Sequence, residues 1–351
     1  MMLRIGSVEL DVPVAQAAMS GYSDYPMRRI ARKCGAPYAL NEVVLDQTVL
    51  LRGRKQRRIL KTAADDHPVG GQLMGSKADD FARAADAMVG AGYDVIDINF
   101  GCPVRKVIYR CRGGYLLGQP AAALEIVRRV QEAVAGRRPV TLKMRRGLDD
   151  SPESERKFFE ILDGALALGV AAVTVHPRTV EQRYVGPAKW EFLRRVKQHA
   201  GSTIVLGSGD LFCAEDVVRM MEQTGVDGVT IARGCIGNPW IFRECRALLA
   251  GRPLPPPPTV AEQRDILAEH YGCAVEQYGE SRGSKIMRKF GIKYSELHPR
   301  GRMVRDAFIA ASKPGDWQGV LDRWYDPGRN WPPGVRRIGP GHLIAAGAED
   351  P

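Results

Sequence analysis

Short apolar, β-branched runs return along this chain every 25 to 45 residues up to residue 234, separated by segments with the periodicity of a helix. No other feature constrains the fold as much. A strand–helix rhythm builds a parallel sheet, because each helix must carry the chain back to the start of the next strand. Eight runs are present, at 14–18, 39–44, 69–74, 95–99, 140–144, 172–176, 203–206 and 228–232, with helices expected at 25–34, 77–91, 120–135, 153–168, 188–199 and 214–224. Several of these helices end in glycine: Gly35, Gly92, Gly136, Gly169, Gly201 and Gly225. Eight such units in about 250 residues fit a closed (β/α)8 TIM barrel. An open doubly wound sheet competes, but no Gly-x-Gly-x-x-Gly follows the first strand.

The stretch Gly251-Arg252-Pro253-Leu254-Pro255-Pro256-Pro257-Pro258 cannot continue a helix and reads as a stiff linker. The expected organisation is therefore a barrel over 1–250, a linker at 251–258, a small C-terminal helical domain over 259–325 and a poorly ordered Gly/Pro/Arg-rich tail at 326–351. Thr259-Val260-Ala261-Glu262 has the spacing of a capping box, opening a helix to about Tyr278, with further helices at 283–297, 302–311 and 316–325.

Active sites of such barrels assemble at the carboxyl ends of the strands. Polar or reactive residues recur there: Asn41 and Glu42, Gln72, Asn99 and Cys102, Lys143, His176 and Arg178, then Gly207-Ser208-Gly209-Asp210 and Ala232-Arg233-Gly234. Each alone could be a capped turn or a satisfied polar group, but their joint placement at one end points to a site. Glycines after the seventh and eighth strands let backbone N–H groups approach a phosphate. Lys143 would put a cation in the barrel mouth, beneath an electron-rich ring or a phosphate. Cys102 follows a tight turn between Gly101 and Pro103, where a thiol can donate a proton or attack an electrophile. No His and carboxylate set has metal spacing, so no metal is expected.

The chain carries 51 Lys and Arg against 40 Asp and Glu, a formal charge of +11, and this favours a polyanionic partner. The basic residues cluster at Arg52–Lys61, at Arg105–Arg112 and at Arg282–Arg305. A solvated surface is the plain alternative for any one cluster. Seven scattered cysteines without a Cys-x-x-Cys pair read as reduced thiols, and no signal-length or membrane-spanning apolar run is present, so a cytoplasmic protein is expected.

With these residues in place, the chain closely resembles the tRNA-dihydrouridine synthases. The resemblance rests on an ordered set of motifs: Met19-Ser20-Gly21-Tyr22-Ser23-Asp24, Gly71-Gln72-Leu73-Met74-Gly75-Ser76, Asp97-Ile98-Asn99-Phe100-Gly101-Cys102-Pro103 with Lys106-Val107, and Leu142-Lys143-Met144-Arg145. It continues through His176-Pro177-Arg178-Thr179, Gly207-Ser208-Gly209-Asp210, Ile231-Ala232-Arg233-Gly234 and Gly237-Asn238-Pro239-Trp240.

The resemblance implies FMN at the barrel mouth, NADPH as electron donor and tRNA as partner; a monomer that engages neither membrane nor DNA is expected. Ala18, Met19 and Ser20 would line the flavin, Gln72 and Lys143 would hydrogen-bond its ring, and His176 would approach it. Ser208, Gly209 and Asp210 with Ala232, Arg233 and Gly234 would hold its phosphate. Cys102 would be the general acid, protonating uracil C5 as hydride reaches C6, and Asn99 and Arg178 would grip the flipped base. Four positions depart from the family's usual residue: Ala18 for Pro, Pro177 for Gly, Ser208 for Asn and Phe290 for His. Two other readings stay open, a flavin barrel reducing a free small molecule and a non-catalytic RNA-binding protein that kept the fold.

Overall fold

The computed structural model describes residues 2–51 and 53–338. Eleven strands are present: β1 (Leu3–Ile5), β2 (Val8–Leu10), β3 (Val14–Gln16), β4 (Ala39–Leu40), β5 (Val44–Leu45), β6 (Val69–Met74), β7 (Val95–Phe100), β8 (Val140–Arg145), β9 (Ala172–His176), β10 (Ile204–Gly207) and β11 (Gly228–Ile231). From β3 onwards every pairing is parallel, β11 returns to β3, and β4 pairs with β6. The sheet is therefore a closed eight-stranded (β/α)8 barrel.

The strands read as largely apolar runs, interrupted by site residues such as Gln72, Asp97 and Asn99, because their residues are buried. The second run differs from expectation, dividing into β4 and β5, both hydrogen-bonded to β6. The break falls at Glu42, whose N–H leaves the sheet to donate to the Ser23 carbonyl (3.1 Å), and the flanking side chains also have partners outside the ladder. Asn41 Nδ2 donates to the Tyr93 hydroxyl (2.6 Å) and the Ile59 carbonyl (3.0 Å), and Glu42 accepts from the Gly21 N–H. A second difference is the antiparallel hairpin of β1 and β2. Leu3, Ile5 and Leu10 pack with Ala15, Leu40, Val95, Ala172 and Leu206, closing the amino-terminal end of the barrel and leaving the other for chemistry.

All six expected barrel-region helices are present, the longest being Pro120–Val134 and Pro152–Ala167. The chain forms two compact units. The first comprises Met1–Tyr25, Pro37–Asp210 and Val217–Ala232; the second comprises Pro26–Ala36, Leu211–Asp216 and the chain from Arg233 on, with the Pro-rich stretch 251–258 inside it. This second unit is helical: Ile241–Leu249, Val260–Tyr278, Glu280–Tyr294, Gly301–Ala310 and Pro314–Trp324. The capping box forms, with Thr259 Oγ1 accepting from the Glu262 N–H (3.1 Å) and Glu262 accepting from the Thr259 N–H (2.7 Å).

Residues 326–338 have no regular secondary structure, yet they make specific contacts within the second unit, such as Val335 N–H to the Leu297 carbonyl at 2.8 Å. The rest of the expected tail, and Arg52 of the first basic cluster, lie outside the described residues. Among the described residues no helix is long and apolar enough to cross a membrane, and no group of three or more His, Cys, Asp and Glu could hold a metal.

Candidate active site

Register decides what the barrel mouth contains. Gln72 on β6 lies beside Asp97 on β7, and Asp97 beside Thr141 on β8; one step further along, Asn99 lies beside Lys143. Neighbours across parallel strands share a face, so these five residues point the same way. The Asp97 carboxylate accepts from Thr141 Oγ1 (2.6 Å) and from Gln72 Nε2 (2.7 Å). Gln72 Oε1 in turn accepts from Asn99 Nδ2 (2.6 Å), and Asn99 Oδ1 accepts from the backbone N–H of Gly101 (2.8 Å). A continuous hydrogen-bond relay thus runs from the barrel interior to the residue preceding Cys102. Burial pushes the Asp97 carboxyl above the usual range, and the hydrogen bonds from Thr141 and Gln72 pull it back.

The loop bearing Cys102 is fixed from two further directions. Arg145, buried at the end of β8, donates Nε to the Gly101 carbonyl (2.9 Å) and Nη1 to the carbonyls of Thr179 (2.8 Å) and Arg183 (2.7 Å). The Cys102 carbonyl accepts from the Gly114 N–H at 3.1 Å. Neighbouring Gly113 has φ +58°, and a Cβ there would lie 2.8 Å from that of Cys102, so only glycine lets the loop close over the thiol. Cys102 is partly buried. Burial raises its thiol pKa, outweighing the lowering by the Val104 backbone hydrogen bond, Arg145 and Lys143. The thiol is therefore protonated at neutral pH, as a proton donor requires.

Lys143 has no hydrogen bond or ion pair among the described residues. Burial, then the like charge of Arg145, lowers its ammonium to about 8, against the opposing pull of Asp97 and Cys102. An ammonium still mostly charged at neutral pH and without a partner at the mouth of a barrel suits an anionic or electron-rich ring, such as that of a flavin.

After β9, the strand next to β8, Arg178, 3 % exposed, donates to the Gly186 carbonyl and to Asp210 Oδ2 (2.6 Å), leaving Nη1 without a partner among the described residues. Asp210 also accepts from the Ala188 N–H (2.8 Å), and Trp190 Nε1 donates to the Gly209 carbonyl (3.1 Å). Gly209 (φ +110°) has the His176 ring against it, where a Cβ would lie 3.2 Å from Nε2. Ser208 is buried, while Ala18 and Met19 are half-buried and Ser20 is exposed at the end of β3. Arg233 belongs to the second unit, where its guanidinium lies 5.1 Å from the Phe212 ring centre.

Of the basic clusters, Arg54 and Arg57 after β5 and Arg105, Lys106 and Arg110 after β7 are exposed. Arg112 instead turns inward and donates to Gln47 Oε1 at 3.0 Å, tying these two loops together. The third cluster is carried by the second unit, with Arg282, Lys285, Arg288, Lys293, Arg300, Arg302 and Arg305 exposed. Sequence reasoning assigned no role to Asp97, Thr141 or Arg145, although a carboxylate inside an apolar strand run, two residues before Asn99, was a visible signal.

Comparison with known proteins decides the family: the profile described as "Dihydrouridine synthase (Dus)" matches residues 15–323. The chain belongs to the dihydrouridine synthase family. A probable tRNA-dihydrouridine synthase of Mycobacterium tuberculosis is 37% identical over 330 residues, covering 92% of this chain and 84% of that protein. A tRNA-dihydrouridine synthase B of Pseudomonas putida is 36% identical over 310 residues, with 88% and 90% covered, and a probable tRNA-dihydrouridine synthase of Rickettsia conorii is 34% identical over 316 residues, with 89% and 93% covered. Among solved structures, morphinone reductase in complex with tetrahydroNAD superposes with TM-score 0.54 at 14% identity, covering 73% of this chain and 92% of that one. A 2-naphthoyl-CoA reductase complex gives TM-score 0.56 at 13% identity, covering 72% of this chain and 52% of that one. At such identities the likeness is one of fold.

Proposed function

We propose that this family member reduces uridine in tRNA to 5,6-dihydrouridine, using FMN at the barrel mouth and NADPH as reductant. The observation that carries the reading is the pairing, at the ends of adjacent strands, of a thiol that burial keeps protonated with the unpartnered ammonium of Lys143. When bound, FMN supplies the hydride for uracil C6. Cys102 delivers the proton to C5, from a loop held by Arg145 and by the relay through Asp97, Gln72 and Asn99. Lys143 stabilises negative charge on the flavin ring. Gln72 hydrogen-bonds that ring as well, while Ala18, Met19, Ser20 and His176 line it.

Ser208, Gly209, Asp210, Ala232 and Arg233 serve the flavin phosphate. Asn99 and Arg178 take the base, the latter through Nη1. The exposed arginines and lysines after β5 and β7 meet the RNA backbone, as shape and phosphate recognition of folded RNA requires. The test is direct. Purified full-length chain should release FMN on denaturation, and NADPH with unmodified tRNA should yield dihydrouridine detectable by nucleoside mass spectrometry. Turnover of free uridine at a rate comparable to tRNA would replace the RNA substrate with a small molecule, and absence of flavin would overturn the redox reading altogether.

A further inference from the structure

Two arginines beyond the last helix have buried partners. Arg337, whose side chain is 10% exposed, donates Nη1 to the carbonyls of Gly234 (2.9 Å) and Arg233 (3.4 Å) and Nη2 to that of Ile236 (3.0 Å). Its charge is met by Glu296 at 2.9 Å. Next to it Arg336 pairs with Glu244 at 2.8 Å, a carboxylate only 4% exposed, and also donates to the Pro255 carbonyl. With Val335 bonded to the Leu297 carbonyl and Trp331 Nε1 to that of Asp326 (2.9 Å), residues 326–338 form a strap across the helical unit. The family model matches residues 15–323, so the strap lies beyond the matched segment.

The strap's most specific contact is with the turn Arg233–Cys235 that directly follows the last barrel strand. One planar guanidinium gathers three carbonyls of that turn and the next residue, an arrangement that a lysine, a point donor on a flexible stem, cannot reproduce. On another side the turn abuts the Leu211 backbone, since a Cβ on Gly234 would come within 2.1 Å of the Leu211 carbonyl oxygen. Backbone packing and the Arg337 side chain, from far along the chain, both hold its conformation. Leaving three carbonyls around an empty space where a guanidinium stood would let the turn relax towards water.

We propose that Arg337 is a positioning residue for the cofactor phosphate, acting through the Arg233–Cys235 turn; this rests on the FMN reading above. The test compares FMN with riboflavin, which lacks the phosphate, by fluorescence titration of apoprotein. Arg337→Ala should weaken FMN about tenfold or more while leaving riboflavin within about twofold. Arg336→Ala, which loosens the strap without touching the turn, should leave both nearly unchanged. Arg337→Lys, which keeps the charge opposite Glu296, should lose FMN affinity several-fold and provides the measurement should the alanine variant not fold. Equal weakening of both ligands would reduce Arg337 to a general structural role and overturn the inference, as would unchanged FMN affinity. Wild-type protein that binds FMN no better than riboflavin would instead sink the phosphate assignment itself.

Discussion

Replacing Asp97 by Ala removes the acceptor shared by Thr141 Oγ1 and Gln72 Nε2. Gln72 is fully buried and Thr141 nearly so, so neither donor regains water easily. A buried donor left unpaired costs about 1–3 kcal/mol, and relief from holding a desolvated carboxylate offsets part of the sum, giving a net loss of about 2–4 kcal/mol. In a chain of this size that lowers the melting temperature by roughly 3–5 °C. The larger consequence is geometric. Once Gln72 is free to turn, Asn99 loses its fixed acceptor and Gly101 its oriented one, and the Cys102 loop loses the tether at its amino-terminal side. Misplacing a reacting group by about 1 Å costs roughly a hundredfold, so dihydrouridine formation should fall about 10- to 100-fold with Cys102 itself intact.

Asp97→Asn separates geometry from charge. Its amide oxygen can still accept from Gln72, and its nitrogen can donate to Thr141 once that hydroxyl rotates, so the relay survives and activity at neutral pH should stay within several-fold of wild type. What it removes is the negative charge that holds the Lys143 pKa up, so Lys143 should titrate below its present value of about 8. Thermal melts by circular dichroism and dihydrouridine yields by mass spectrometry measure both variants. Equal damage by Ala and Asn would refute the relay argument in favour of charge alone, and full activity in Asp97→Ala would show the relay to be idle.

Cys102→Ala should lower dihydrouridine formation by about 10²–10⁴-fold while FMN stays bound, measured in single-turnover reactions with prereduced enzyme; a smaller loss would assign the proton to another group. Alkylation at pH 7 should modify exposed Cys111 well before Cys102, whose thiol burial holds protonated, and peptide mass mapping after timed quenching follows both. For Lys143, the ammonium that serves the flavin is lost as pH rises through about 8, so FMN affinity should decline there and Lys143→Met should remove that limb. Stability moves the other way: between about 8 and 10.5 the unfolded chain holds the extra proton, so this group adds stability as pH rises across that window. His270, buried in the helical unit, has its pKa lowered to about 3 by burial and by nearby Lys289. The unfolded chain binds that proton below about 6.5, so His270 costs about 1.4 kcal/mol per pH unit as pH falls towards 3, and urea melts of His270→Phe between pH 6 and 4 should show a shallower loss.

The barrel was legible because its strands are buried runs, and a run of apolar residues survives in a single sequence whatever it pairs with. β1 and β2 were missed because three residues each, with exposed Arg4 and Glu9 between buried ones, make too short a pattern to separate from a loop. The strap was missed for another reason: arginine to carbonyl contacts leave no periodicity, and a Gly/Pro-rich composition read alone predicts disorder. Strand-end position singled out Gln72 and Asn99, but the roles of their amides depend on register between segments 25 to 44 residues apart in sequence. That register changes what they can offer. Gln72 Oε1 and Asn99 Oδ1 are already accepting, while each amide nitrogen donates once and keeps a second N–H. Both residues therefore present donors to whatever enters the mouth, beside the cations of Lys143 and Arg178. A site furnished in this way selects ligands rich in carbonyl oxygens and ring nitrogens, and a flavin ring and a uracil are both of that kind.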